Sequence, residues 1–434
     1  MDFHKLPVYG EFDVVVAGGG TSGFAAGVAA ARAGARTLIV EDHGYLGGTS
    51  TGGMTSQFLG FTGDETLEGL GGVFGEVLRR LVAMGASNGI AMIYLAGRTD
   101  MDVMAASYNS DDLKLAMDRM VCEAGAHVLF HTRIVKTVMD GERIDCLAIH
   151  NAGGLQAVRA RVFIDATFHG SVAAEAGCPW AIGDENRRTQ PGALMYRLSG
   201  VDVERYASLS LDEKNILAAR GVAEGRLPFG RMIARTLPDG TVYCGMSRVP
   251  ADPLDADSIS RAETEGREQV RGIADFFREA VPGFERSRIA ATGGFLGLRD
   301  SRRILGRYVL TTEDVMQGTR FPDAVVSSSY PIDIHRTDDT PSVLIRPLGQ
   351  RGGKYHIPYR CMVGGVPNLV VTGRCISADS GAHACIRVMV TCMRLGEVAG
   401  IAAAEAAERG VSANGIDGAR LAQTIAARSQ EPRP

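Results

Sequence analysis

The stretch from Phe12 to Thr51 constrains this chain more than any other. Phe12-Asp13-Val14-Val15-Val16-Ala17 is a short apolar run rich in β-branched residues, the pattern of a parallel strand buried on both faces. It runs into Gly18-Gly19-Gly20-Thr21-Ser22-Gly23, a G-x-G-x-x-G. An alanine-rich helix is expected over Phe24 to Ala33, with Gly34 as its stop. Arg36 to Val40 reads as a second strand, and Glu41 stands at its end. Gly18 suits a tight turn, Gly20 a close approach of backbone to a pyrophosphate, and Gly23 close packing of helix on strand. The helix start, Thr21 and Ser22 included, offers free N–H groups and a positive dipole end to the phosphates. Glu41 is placed to accept hydrogen bonds from a ribose. With 55 glycines among 434 residues, the glycines alone decide little. Strand, turn, helix, strand and acid in this order point to a dinucleotide.

Length favours two domains, or one with a large insertion. A formal net charge of −4 and the lack of a basic stripe argue against a nucleic-acid partner. Met1 to Gly10 has no apolar core of signal-peptide length, and no run is long enough to span a membrane. A soluble, cytoplasmic protein is expected. None of the eight cysteines forms a C-x-x-C pair, which disfavours a redox dithiol, a zinc knuckle or an iron–sulfur cluster, and no metal is expected.

Past Glu41, Gly44 to Met54 is too glycine-rich for regular structure and too apolar for a linker. The chain here resembles the FAD-dependent oxidoreductases with the glutathione-reductase-type FAD fold. The likeness rests on the glycine turn, the acidic strand end and Leu46-Gly47-Gly48-Thr49. It is extended by Ile164-Asp165-Ala166-Thr167, by Arg299-Asp300-Ser301-Arg302-Arg303, by Tyr330-Pro331-Ile332-Asp333-Ile334-His335 and by the segment Asn368 to Arg374. Asp300 replaces the family's usual Glu, and Phe168-His169-Gly170-Ser171 stands where the family often has Gly-Asp or an acidic equivalent.

The resemblance implies FAD as cofactor. It places Gly18, Gly20, Thr21, Ser22, Gly23, Glu41, Asp42, Gly47, Gly48, Thr49, Val135, Ala166, Gly373 and Arg374 around it. It also places Thr391, Cys392 and Met393 at the helix start that faces the flavin. The implied fold is α/β: a Rossmann-like FAD-binding domain, with parallel sheet and β-meander, interrupted by a mixed α+β substrate or cap domain. The expected boundaries are 1–175 and 356–410 for the two parts of the FAD domain, 176–355 for the cap, and 411–434 for a C-terminal helix and tail, frayed over Ser429–Pro434.

Residues 65–130 read largely as helix, including amphipathic stretches at Phe74–Val82 and Asp111–Val121. Val128 to Val135 reads as one strand, followed by two more near 144–150 and 155–164. Ser260 to Ala280 reads as a charged amphipathic helix stopped by Pro282-Gly283.

The flavin carries electrons, so the protein's candidates are cations and acid/base groups on segments that return to it. Arg299, His335, His383 and Arg387 are the candidate catalytic residues. If the segment is helical, Arg299 shares a face with Arg302, and an arginine fork suits a carboxylate. Asp333 and His335 share a face of an extended segment and can form an acid/base couple. Each has a bland alternative: Arg299 on a solvated or salt-bridged helix face, His383 as a loop histidine bonded to backbone, Arg387 capping a carbonyl or paired with Asp379, and Asp333 with His335 merely tying cap to core. The expected activity is hydride transfer between a small anionic or hydroxylated molecule and flavin N5, in the direction of dehydrogenation. No second G-x-G-x-x-G is found for a nicotinamide. The electron acceptor is left open among oxygen, a quinone and a partner protein, and a homo-oligomer is admissible. A reductase, a non-redox flavoenzyme, and a flavin-binding scaffold or RNA-modification partner are the alternatives.

Overall fold

In the computed structural model, which describes residues 2–63, 65–336, 342–347 and 353–430, β1 spans Val8–Ala17, α1 spans Thr21–Arg32 and β2 spans Thr37–Val40. β1 pairs in parallel with β2 on one side and with the long strand Gly154–Asp165 on the other. β2 in turn pairs in parallel with His127–Leu129. Gly154–Asp165 is shared: its first half pairs antiparallel with Arg143–Asn151, and its last residues pair in parallel with Leu369–Val371. Arg133–Asp140 completes the meander. The strand order therefore reverses between β1 and Gly154–Asp165. In an open α/β sheet a ligand binds in the crevice at that switch point, beyond the carboxyl ends of the strands. Gly18–Gly20 and Ala166 stand there.

α1 is apolar and small all round, and Thr21 to Ala30 are all buried, as befits a helix enclosed on every side. Its cover is the helix Met389–Arg409. Two glycines one turn apart permit the approach. A Cβ at Gly396 would lie 2.0 Å from Ser22 O, and one at Gly400 would lie 2.2 Å from Ala26 O.

The middle of the chain has its own core, gathered from Leu194 to Leu298. Four antiparallel strands, Ala234–Thr236, Val242–Cys244, Tyr196–Ser199 and Arg288–Thr292, form its sheet in that order. Helix Ala256–Ala280 lays Val270, Ile273, Phe276 and Phe277 against it. Asp255 caps the helix start, accepting from Asp257 N. This second core lies within the expected cap segment, whereas Ile304, Leu310, Val326, Ile332 and Tyr355 pack into the first core.

Three expectations need correction. Residues 65–130 are not mainly helix. Helices Gly72–Ala83 and Ser110–Ala124 flank a small antiparallel sheet of Gln57–Leu59, Asp102–Ser107 and Ala91–Tyr94. Ala91, Met92 and Tyr94 are exposed, so no buried alternation marks the strand. Val128–Val135 is not one strand. It breaks at His131, where φ is +50°, because the backbone turns to donate from His131 N to His43 O (3.2 Å) and from Thr132 N to Glu41 O (3.0 Å). Finally, Arg299–Arg302 is not helical, so these arginines share no helix face and point to different partners. At the C-terminus, helix Gly418–Gln430 follows the expected boundary. The fraying expected over Ser429–Pro434 falls, from residue 431 on, outside the described residues.

Candidate active site

The glycine turn is shaped by contact. Gly18 takes φ +91°, and a Cβ there would lie 3.1 Å from Ala166 O. A Cβ at Gly23 would lie 1.8 Å from Gly18 O, so the helix can begin this close beneath the turn only without a side chain. At Gly20 a Cβ would meet nothing within 4 Å. Gly20 faces open space at the head of α1, whose N-cap carries no side-chain hydrogen bond. N–H groups left free in this way attract an anion.

The loop from Gly44 to Met54 is tied to this turn. Gly47 N donates to Gly19 O at 2.8 Å, Thr21 Oγ1 donates to Gly47 O at 3.1 Å, and Gly20 bridges to Gly47. Gly48 and Thr49 begin a 3-10 turn, and Gly294 N of the middle unit donates to Gly52 O at 2.8 Å. Glu41 is buried. Its Oε2 accepts from Gly19 N at 2.6 Å and its Oε1 from His43 N at 2.8 Å, which fixes the carboxylate beside the turn. Asp42 pairs with Arg133 at 2.6 Å, and Val135 is exposed further along the same strand. Gly373 takes φ +73°, and a Cβ there would lie 2.5 Å from Ser22 Oγ. Arg374 lies 3.9 Å above the Phe168 ring and donates to Leu298 O at 2.7 Å.

Thr391, Cys392 and Met393 are buried in the first turn of Met389–Arg409, whose N-cap Val388 also lacks a side-chain hydrogen bond. Thr391 Oγ1 bonds Ser328 Oγ at 3.2 Å, so this helix offers backbone rather than side chains. A glycine cradle, an oriented carboxylate and two uncapped helix heads fit a dinucleotide with a phosphate and a ribose to hold. Among the described residues no cluster of three or more His, Cys, Asp or Glu side chains can hold a metal. None of their helices is long and apolar enough to cross a membrane.

A second group converges where the two cores meet. Asp333 and His335 flank Ile334 at the end of strand Ile332–Ile334, with His335 Nε2 3.3 Å from Asp333 Oδ2. Tyr330 OH donates to the same Oδ2 at 3.1 Å. Arg387, at the end of helix Ser380–Ile386, donates to Asp333 O at 2.9 Å and to Gln190 Oε1 at 3.4 Å. Gln190 Oε1 also accepts from His335 N at 3.1 Å. Arg299 donates to Pro191 O. Arg248 comes from the middle unit, 4.3 Å above the Phe229 ring, and its Nη2 lies 3.5 Å from His335 Nδ1. Gln269 clamps Arg248 by its backbone, at 2.9 and 3.0 Å.

These contacts fix the tautomer of His335. A guanidinium only donates, so the nitrogen facing Arg248 carries the lone pair and Nε2 carries the proton given to Asp333. Burial, with Arg299 and Arg248 beside it, pulls the His335 pKa down to about 3 against the pull of Asp333. Burial opposes ionisation of Asp333, yet His335, Arg387 and Arg299 hold it far below the usual carboxylate range. Burial and the neighbouring guanidiniums pull Arg299 well down and Arg248 to about 10.

The structure thus brings together Arg299, His335 and Arg387, and leaves His383 apart. His383 is buried in Ser380–Ile386 with Nε2 3.0 Å from Arg374 O, so it braces the Gly373–Cys375 turn. Arg387 does not pair with Asp379, whose carboxylate caps Ala382 N and accepts from Thr312. Arg302 lies 5.1 Å from the Trp180 ring. Arg303 is spent on Asp300, Ala378 O and Gly183 O. Cys375, Cys385 and Cys392 are free, buried thiols. Sequence reasoning missed Arg248 and Gln190, which lie in segments without a motif and reach the site only through the fold.

A model of the FAD dependent oxidoreductase family matches residues 13–425. The chain belongs to that family. FAD is accordingly the cofactor of this oxidoreductase, and the residues around the switch point can hold it. Among solved structures, an aromatic hydroxylase of angucycline biosynthesis, CabE, aligns over 97% of this oxidoreductase and 69% of its own chain, at 12% identity and TM-score 0.52. p-Nitrophenol 4-monooxygenase from Pseudomonas putida aligns over 98% and 90%, at 11% identity and TM-score 0.51. A geranylgeranyl bacteriochlorophyll reductase-like protein from Thermoplasma acidophilum aligns over 97% and 92%, at 15% identity and TM-score 0.50. These likenesses share the fold. A dihydrolipoyl dehydrogenase from Trypanosoma brucei brucei is 49% identical over 44 residues, 10% of this chain and 9% of that one. The match therefore spans about a tenth of that relative's length.

Buried histidines give the oxidoreductase an acid limit. Burial lowers His169 to about 4, His335 to about 3 and His383 well below 6.5. The unfolded chain therefore takes up these protons first as pH falls. Stability is whole above about pH 6.5 and declines below it, by about 1 kcal/mol per histidine over the first pH unit. His43, raised by Glu41, opposes the trend but is half-exposed. Denaturant unfolding with saturating FAD should show the decline, and His169→Gln should flatten it. A stability unchanged down to about pH 5 would contradict the buried neutral histidines.

Proposed function

We propose that this oxidoreductase dehydrogenates a small anionic molecule, with the arginines at the junction holding its charge and His335 receiving its proton. The observation that carries the reading is the cluster itself, where an oriented Asp333–His335 couple stands among guanidiniums contributed by both units. Bound FAD supplies the two-electron acceptor for the hydrogen that leaves the substrate carbon. Arg299 and Arg387 bind and orient the substrate's anionic group, a task suited to the planar guanidinium fork. Asp333 holds the imidazole by its Nε2 proton, so that Nδ1 is the basic atom. As an alcohol or amine becomes a carbonyl or imine, the proton from its oxygen or nitrogen passes to Nδ1. Burial first, and the guanidiniums after it, make His335 a weak base; an anionic substrate neutralises the guanidiniums, so binding raises the base's strength where it is needed.

The yellow protein, held without oxygen, should keep its visible absorbance when NADH or NADPH is added and lose it with the right organic acid. His335→Gln should slow that bleaching by about 100-fold or more while FAD stays bound. Rapid bleaching by nicotinamide would instead make the protein a reductase or a monooxygenase.

A further inference from the structure

We propose that the arginine cluster at the junction binds a small organic dianion, carrying two negative charges rather than one. This deepens the reading above and rests on it for the word substrate, but the binding claim stands on charge and geometry alone. Three guanidiniums gather at one carboxylate, Asp333: Arg387 Nη2 lies 4.0 Å from its Oδ2, Arg248 Nη2 lies 3.5 Å from the His335 ring that this carboxylate holds, and Arg299 interacts with it electrostatically, while His335 is neutral. Arg231 interacts with the same carboxylate from a half-buried position and adds a further positive charge nearby. Among the described residues, Asp300, next to Arg299, is already hydrogen-bonded to Arg303 at 3.2 Å. Among the described residues, two positive charges of this cluster are therefore left without a counter-charge.

A guanidinium does not relieve such crowding by losing its proton, and a buried charge without a partner is costly. The partners of these arginines are mostly backbone carbonyls: Pro191 O for Arg299, and Gly245 O and Ser247 O for Arg248. Carbonyl oxygens satisfy N–H groups without cancelling charge. Among the described residues the buried Arg387 Nε has no hydrogen-bond partner. The FAD phosphates have a separate anion site at the head of α1. The arginines also come from two units: Arg248 is held by Gln269 in the middle unit, and Arg387 follows a helix of the first core. A ligand with acidic groups at two points matches cations presented from both sides of a junction.

Titration calorimetry on the FAD-loaded protein tests this with four probes: succinate, butyrate, glycerol phosphate and the neutral 1,4-butanediol. Succinate or glycerol phosphate should bind about ten- to a hundredfold more tightly than butyrate, more weakly as salt rises, and butanediol should not bind measurably. Preference for succinate assigns the two charges to separate carboxylates; preference for glycerol phosphate assigns them to one phosphoryl group. Arg248→Gln and Arg299→Gln should each erase the dianion's advantage while flavin content stays whole. Equal binding of succinate and butyrate, no binding of either dianion, or loss of FAD from the arginine variants would overturn the proposal. Dianion binding without flavin bleaching by any acid would sink the dehydrogenase reading alone. Bleaching by a hydroxy monocarboxylate, with no dianion preference, would sink this one alone.

Discussion

Gly396→Ala should leave a protein that loses FAD on dilution and unfolds several kcal/mol more easily than the wild type. By helix propensity alone the change is favourable, by about 0.5–1 kcal/mol, because alanine restricts the unfolded chain. The added Cβ, however, would lie 2.0 Å from Ser22 O, a backbone atom of the first turn of α1. Overpacking against a side chain costs about 1–3 kcal/mol; a carbonyl inside a helix can yield only if the helix moves. That movement displaces the N–H groups that can hold the phosphates, so stability and cofactor affinity fall together. Gly272→Ala is the control. It lies in Ala256–Ala280, its new Cβ would meet nothing within 4 Å, and it should stabilise slightly. Denaturant titration and the flavin-to-protein absorbance ratio read both changes. A Gly396→Ala protein as stable and as yellow as the wild type would mean that the two helices pack less closely than described.

Asp333→Asn should be the most damaging single change in the arginine cluster, by about 3–5 kcal/mol. Arg248, Arg299 and Arg387 would then face one another without a counter-charge, and Tyr330 and His335 would lose a charged acceptor. Part of the loss should return when Arg299→Gln is added, since that removes one of the repelling cations, and the double-mutant cycle measures the coupling. A conservative Asp333→Asn effect under about 1 kcal/mol, with no coupling to Arg299, would show that the charges are screened by water.

The sequence was most legible where local chemistry and fold agree. Gly18, Gly23 and Glu41 sit in a strand–turn–helix–strand unit whose geometry is decided within thirty or so residues, and each meets a steric or hydrogen-bonding need there. Asp333 and His335 could be paired because an extended segment puts alternate residues on one face. The grouping of Arg299 with Arg302 and Arg303 failed because it assumed a helix. The three side chains diverge to Pro191 O, the Trp180 ring and Asp300. Arg248 and Gln190 carry no motif and meet His335 only through long-range packing. The surface sheet of Gln57–Leu59, Ala91–Tyr94 and Asp102–Ser107 escaped notice because its edge strand buries little, leaving no period to read.

The sharing of Gly154–Asp165 between β1 and Leu369–Val371, with α1 roofed by Met389–Arg409, sets the order in which this chain can mature as it is made. A growing chain carries the glycine turn and its acid from the start, but one wall of the cofactor site arrives only with helix Met389–Arg409. The middle unit, with its core drawn from 194–298, has all its parts much sooner and can collapse first, as locally connected units do. Maturation then runs from the centre outward, and the flavin enters last. A chain stopped short of Arg409 would keep every residue of the glycine motif and still emerge colourless.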